Sequence, residues 1–461
     1  MAALSRNSYF GKRPIRLLVA GLLGLVVFSA CERPFVPPSP PEITVIQPSL
    51  SNLFIEDRVE LRVRASSFRE VSRLEIDGIP MTFDTSSGHW VDTLTLAAGL
   101  NTFIISAFDI EEVEGMQELS LARLDPSFST EGAPDLPLPW RIGGHTASLL
   151  DDGSVLIAGG AISTTSPAVN RSFIWREGGE GFELLEAGMF SARTGHTASR
   201  MPDGRILFIG GAARENTVSR ADLIETVEIF DPQTETFSDY PVVGTPISRV
   251  YHTTFLTETD DGVFVDVFGG IGRFDNSGSD EVAIRRDFRT FRITNDTLFA
   301  IPGGQTTING IDGSFGQAVA PIEAPSSLNA GRFIVTGTTF LDAGREDTNV
   351  HFRINYNVTP IRIGDIAEHL TLRTRHTGVA LQDGIAVFFG GRQDEDPNPV
   401  ATSEVYLARV DRFFAFPNTP PSIPRFGHTA TKLPSNRILI VGGFLSDGNA
   451  IRTSEWFDSG F

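Results

Sequence analysis

An arginine recurs three residues before a histidine at four places along this chain: Arg193 with His196, Arg249 with His252, Arg373 with His376, and Arg425 with His428. Arg141 stands four residues before His145. A guanidinium is a planar fork that grips carboxylate or sulfate through two parallel hydrogen bonds. If the strand that follows each arginine is the innermost of its unit, the five forks ring one mouth of a central channel and can hold an oxyanion ligand. The other reading pairs each arginine with a carboxylate of its own unit, such as Glu228, Glu404 or Glu455. The histidines could in principle ligate a metal. Their recurrence once per unit, at one structural position, is instead what packing or hydrogen bonding inside the unit produces, so neither metal nor cofactor is expected. The loops "RQDEDPNP", with Asp394, Glu395 and Asp396, and "GRFDNSGSD", with Asp275, Asn276 and Asp280, are rich in oxygen but lack a calcium-ligand spacing, and read as solvated. There is no GxSxG, HExxH or phosphate loop, and no catalytic residue is assigned.

The frame that must position these residues is long enough for two or three cores: 461 residues, 41% hydrophobic, with 35 Phe. That composition excludes low-complexity disorder, and a single long apolar run excludes a multi-span membrane protein. A formal charge of −19 argues against nucleic acid as a partner, which needs a basic footprint. Only two of the 38 basic residues are lysines, Lys12 and Lys432, so lysine chemistry has almost no candidates.

Arg6, Lys12, Arg13 and Arg16 precede the apolar run Leu17 to Ala30, which suits a signal-peptide core and is short for a bilayer span. The run ends in "FSAC", with the sole cysteine at 31. This junction resembles the lipobox of bacterial lipoproteins. The resemblance implies cleavage of residues 1–30 and a lipid on Cys31, making the membrane a partner, and Glu32 in the next position points by family analogy to the outer membrane. Ordinary signal cleavage with a spare thiol is the alternative. Cleavage takes away four basic residues and no acidic one, moving the charge from −19 to −23, so lipid rather than charge would hold the protein at the membrane. Residues 31–42, "CERPFVPPSPPE", read as an extended proline-rich stalk.

Residues 43–124 show short alternating runs. In "RVELRVRAS", Val59, Leu61, Val63 and Ala65 share one face, and Asp77-Gly78 marks a hairpin. The stretch with Leu96, Gly99, Asn101, Ala107 and Asp109 resembles the immunoglobulin-like domains of bacterial surface proteins, which implies a small β-sandwich acting as spacer or adhesion module. His89 and Trp90 read as packing residues.

Residues 125–461 repeat. "RIGGHTASLLDDGSVLIAGG", "RTGHTASRMPDGRILFIGG", "RVYHTTFLTETDDGVFVDVFGG", "RTRHTGVALQDGIAVFFGG" and "RFGHTATKLPSNRILIVGG" align. Their histidines are 51, 56, 124 and 52 residues apart. The gap of 124 holds a degenerate copy, with Gln317 at the histidine position and Gly337-Thr338 at the diglycine. This period, the terminal diglycine and "VEIFDPQTETF" resemble kelch repeats, whose units are four-stranded propeller blades. The resemblance implies an all-β fold: a six-bladed kelch-type β-propeller preceded by an Ig-like β-sandwich. An apolar residue opens the outermost strand before each histidine or glutamine: Phe182, Phe237, Phe299, Ile361 and Phe413. Phe128 stands in the same relation to His145, so residues near 120–130 are expected to complete the last blade and close the ring. A free interdomain linker is the competing reading.

Two enzyme families resemble this architecture. Galactose-oxidase-like copper enzymes need a cysteine crosslinked to tyrosine, which Cys31 in a lipobox does not supply. For sialic-acid epimerases, no acid–base residues can be placed on this chain. The expected function is therefore a lipid-anchored envelope protein that binds a protein or glycan through propeller loops, with Arg141, Arg193, Arg249, Arg373 and Arg425 as candidate ligand residues. A carbohydrate-active enzyme, epimerase- or lyase-like, is the alternative, and a purely structural envelope role the second rival.

Overall fold

The computed structural model describes residues 39–460 apart from internal stretches, the longest being 274–281, 324–331 and 364–370; between 303 and 370 few side chains are described. The signal run 1–30, Cys31 and most of the stalk therefore lie outside the described residues, as do Ile361, Asp394, Glu395, Asp275, Asn276 and Asp280. The chain is all-β; the single helix among the described residues is the one-turn Arg220–Asp222.

The N-terminal part forms two sheets around one core. One contains Glu42–Gln47, Arg58–Ser66, His89–Thr95 and Thr82–Asp84; the other contains Leu53–Phe54, Glu114–Arg123, Gly99–Asp109, Val71–Ile76 and Ile79–Pro80. Val59, Leu61 and Val63 of the first share a buried cluster with Leu74, Ile76, Ile105 and Leu121 of the second, which is what period-two alternation dictates for sheets wet on one side. At the end of this region Leu124 is buried among residues of the last two sheets, and the Asp125 amide donates to the Ser459 carbonyl at 3.0 Å.

The repeats fold into small antiparallel sheets, each running outward from the strand that follows its histidine. The His145 sheet is typical: Thr146–Leu149, Val155–Ala158, Ser172–Trp175 and Glu183–Leu184 in that order. First strands touch in a cycle. Thr146–Leu149 meets Thr197–Arg200, and the contacts continue through Thr253–Thr259, Gly313–Glu323, Thr377–Gln382 and Thr429–Lys432 back to Thr146–Leu149. The arrangement is propeller-like.

The second strands Val155–Ala158, Ile206–Ile209, Ile385–Phe389 and Ile438–Val441 are apolar at every position because both faces are covered. Val155 and Ile157 pack with Leu439, Val441 and Trp456 on one side, while Leu156 and Ala158 pack with Ile206, Phe208 and Phe230 on the other. The same interleaving joins Leu207 and Ile209 to Val265 and Val267.

Ser127–Ser129 adds antiparallel to Ser454–Asp458, with Phe128 opposite Phe457, so the outer strand of the last sheet comes from a segment that precedes the first repeat. Phe128 lies 5.1 Å from the Phe457 ring and 6.1 Å, edge-on, from Phe389. Phe128→Ala should cost roughly 2–4 kcal/mol, in the range for losing an aromatic from a packed site. Equilibrium denaturation of the chain checks this; an unchanged midpoint would mean that this strand does not fasten the ring.

Candidate functional site

The arginines that precede the histidines do not face the channel. Arg193, Arg249, Arg373 and Arg425 are all 2% exposed or less, inside their own sheets. Arg193 donates to the carbonyls of Gly210 (3.0 Å) and Thr226 (2.9 Å), and pairs with the Glu228 carboxylate. Arg373 does the same with Gly390, Thr402 and Glu404, and Arg425 with Gly442, Thr453 and Glu455. Arg249 bonds Gly269 and pairs with Asp287 at 2.6 Å. Each guanidinium thus ties the end of the second strand to the third. A ligand-binding ring of these residues is corrected: their forks are taken up by the sheet itself. Arg141 is exposed, out of step by one residue.

In the His145 repeat the structural equivalent of the arginine is Ile142. Its carbonyl accepts from the Gly443 amide at 2.8 Å, as the Arg193 carbonyl does from Gly160. Phe173, paired opposite Ile157, stands where Glu228, opposite Phe208, stands in the next sheet. One repeat has therefore exchanged the buried ion pair for an apolar pair, a swap that costs little when both partners change. Glu228→Ala alone should destabilise by about 3–5 kcal/mol, because it strands the buried Arg193 charge. The double variant Arg193→Ile/Glu228→Phe should recover most of that loss in urea melts; a double variant as unstable as the single one would contradict the reading.

The histidines face the axis, yet they serve the junctions. His196 Nε2 bonds Thr146 Oγ1 of the preceding repeat at 3.1 Å, His252 bonds Thr197 at 3.1 Å, His145 bonds Thr429 at 3.0 Å, and His376 bonds Thr336. His145, His196 and His252 thus each latch onto the threonine of the preceding repeat's His-Thr dipeptide, while His376 reaches Thr336 of the degenerate copy. Burial pushes His145 and His252 down to about 3, and holds His196 and His428 well below the usual imidazole range. Unfolded histidines protonate near 6.5, so unfolding takes up protons between there and about 3. Stability should fall as pH drops through that window, by about 1.4 kcal/mol per pH unit for each histidine. His252→Gln should flatten the slope by one proton; an unchanged slope would place the proton uptake elsewhere.

The residue before each histidine sits on the axis with positive φ: Gly144 (66°), Gly195 (61°), Tyr251 (56°), Arg375 (57°) and Gly427 (61°). Their backbones form a belt, with the amides of Gly195, Tyr251, Gly144 and Gly427 donating to the carbonyls of Gly195's neighbour Gly144, then Gly195, Gly427 and Arg375 at 2.7–2.9 Å. Glycine suits this left-handed backbone, whereas tyrosine and arginine hold it at a cost of about 1–2 kcal/mol each. The glycines also make room. A Cβ on Gly195 would lie 2.6 Å from the Tyr251 ring, and one on Gly144 would lie 2.6 Å from Glu215 Oε2.

Above this belt is a cavity of about 390 Å³, within the range of small-molecule sites at about 300–1,000 Å³. Its polar wall holds Glu215, Asn216, Tyr251, Thr374, Arg375 and Arg392; its apolar wall is the hairpin of Ile271–Arg273 with Val282–Ile284. Glu215, 1% exposed, accepts from Thr194 Oγ1 and pairs with Arg375, and the Tyr251 hydroxyl donates to its backbone carbonyl. Arg375 also lies 5.0 Å over the rings of Tyr251 and Phe426. Burial, reinforced by Arg392, pushes the Arg375 guanidinium down to about 9, while contact with the Glu215 carboxylate favours its charged form. Burial raises the Tyr251 phenol, so it is neutral. A smaller space of about 120 Å³ continues down the axis between the five histidines. Among the described residues no group of three His, Cys, Asp or Glu is placed to hold a metal.

The sequence reading missed Glu215, Tyr251, Arg375 and Arg392. The signal was available in the differences between repeats: "RVYHT" and "RTRHT" stand where three others have glycine before the histidine.

No family model and no curated protein matches this chain. Among solved structures, one titled "Structure of YjhT" aligns with a TM-score of 0.51 at 13% identity, covering 70% of this chain and 96% of that one. A fungal alcohol oxidase of the AA5 family, in complex with copper, aligns with a TM-score of 0.46 at 14% identity, covering 92% and 76%. The first likeness is one of fold, β-rich and propeller-like.

Proposed function

We propose that this chain is a glycan-binding, six-bladed kelch-type propeller. It is carried on an Ig-like sandwich and held at the bacterial outer membrane by lipid on Cys31. The observation that carries the binding reading is the break in register at the axis. Two repeats place Tyr251 and Arg375 in a strained left-handed backbone where three others keep glycine, and both side chains line the cavity. Strain of this kind persists where the surroundings enforce it, and clusters at ligand sites.

The walls suit a sugar, which offers hydroxyls at its rim and an apolar ring face: donors and acceptors on one side, and Ile271, Val282 and Ile284 on the other. A concave site of this kind favours a small glycan over a protein surface. The cycle of first strands supports six blades, the shared core of the two N-terminal sheets supports the Ig-like sandwich, and the lipobox-like junction at Cys31 supports the anchor.

Tyr251→Gly tests the site, because it restores the residue that the backbone prefers. It should leave the melting temperature within a few degrees and weaken the tightest glycan found in a binding screen at least tenfold. Unaltered affinity would move the site elsewhere, and chemical conversion of that glycan in NMR spectra would make the protein a carbohydrate-active enzyme. Cys31→Ala should release the protein from membranes; retention there would contradict the anchor.

A further inference from the structure

Arg392 is a second break in register, independent of the first. The residue after each diglycine bridges back to the start of its own repeat: Ala161 with Gly143, Ala212 with Thr194, Ile271 with Val250, Arg392 with Thr374, and Phe444 with Phe426. Four of these five are apolar, so this position belongs to the packing beneath the rim. Arg392 alone brings a charge there. Its backbone is fixed by paired bonds with Thr374 at 2.8 and 3.0 Å, and its guanidinium lies 4.7 Å over the Phe426 ring.

The charge count around the cavity does not balance. Glu215 and Arg375 neutralise each other. Arg392 has no carboxylate partner among the described residues, and its Nε is buried without a hydrogen-bond acceptor. A buried N–H that lacks a partner costs free energy until something accepts from it. In a chain of formal charge −19, the described residues of the cavity carry one positive charge more than negative, held in partly apolar walls, where an ionic contact is stronger than in water. Arg375 and Arg392 lie 5.0 and 4.7 Å from the Phe426 ring centre, and both line the same cavity.

We propose that the ligand carries an anionic group, a carboxylate, sulfate or phosphate, that binds Arg392 with Arg375 beside it, while its uncharged part lies against the Ile271–Ile284 hairpin. This deepens the glycan reading and rests on it: the ligand class is acidic sugars. Glu215 then acts as the fixed counter-charge of Arg375.

Calorimetric titration of the full chain with glucose, glucuronate, glucose 6-sulfate, glucose 6-phosphate and sodium sulfate separates the cases. At least one acidic sugar should bind tenfold or more tightly than glucose. That preference should shrink as sodium chloride is raised from about 20 to about 500 mM, vanish in Arg392→Gln, and survive in part in Arg392→Lys. The salt series reads the same charge if Arg392→Gln does not fold. Glucose binding as tightly as every acidic sugar, or a preference that persists in a folded Arg392→Gln, overturns the anion site and leaves the glycan reading standing. Sulfate binding with no sugar binding upholds the anion site and overturns the glycan reading. No binding by any of the five overturns both.

Discussion

Four junctions of the ring depend on one steric fit: the first glycine of a diglycine lies against the histidine ring of the next repeat. A Cβ on Gly159 would come within 2.6 Å of His196 Cε1, on Gly210 within 2.7 Å of His252 Cε1, and on Gly442 within 2.9 Å of His145 Cε1. Only glycine leaves that space, and its positive φ (68°, 64° and 61°) turns the chain toward the rim. With the ring seated, the His-Thr bond forms to the preceding repeat, the second glycine's amide finds the neighbouring carbonyl, and the residue before the histidine arrives on the axis. The histidines must stay neutral because they are enclosed by this contact. The arginines, three residues earlier, are turned back into their own sheets and serve as staples.

Such a ring places equivalent positions around one axis, so a site needs only departures from the repeat. Three are visible. Tyr251 and Arg375 replace axial glycines, and Arg392 replaces an apolar residue beneath the rim. Glu215, in the loop after another diglycine, joins them and holds Arg375. The regular residues supply rigidity and the irregular ones supply chemistry, and the strain at Tyr251 and Arg375 is sustained by the backbone belt on either side.

The strand pattern was written plainly in the sequence. Runs such as "RILFIGG" are apolar at successive positions because both faces meet a neighbouring sheet, and Phe128 has the spacing of an outer-strand residue. The direction of the arginines was not legible. Periodicity places Arg193 at the mouth of a strand, but whether it turns outward depends on Glu228 and Thr226, thirty-odd residues later and two strands away. The cavity was missed because the repeats were aligned for what they share, whereas Tyr251, Arg375 and Arg392 are informative only where they differ. Asp275, Asn276, Asp280, Asp394, Glu395 and Cys31 lie outside the described residues, so their chemistry stands on sequence alone.

The most direct measurement is a crystal structure of the chain grown with its tightest-binding acidic sugar. Ordered ligand density is expected above the axial belt, with the anionic group within hydrogen-bond distance of Arg392 and a sugar face against Ile271 and Ile284. Ligand bound on the opposite face or along an outer strand, with only solvent between Arg375 and Arg392, would contradict it.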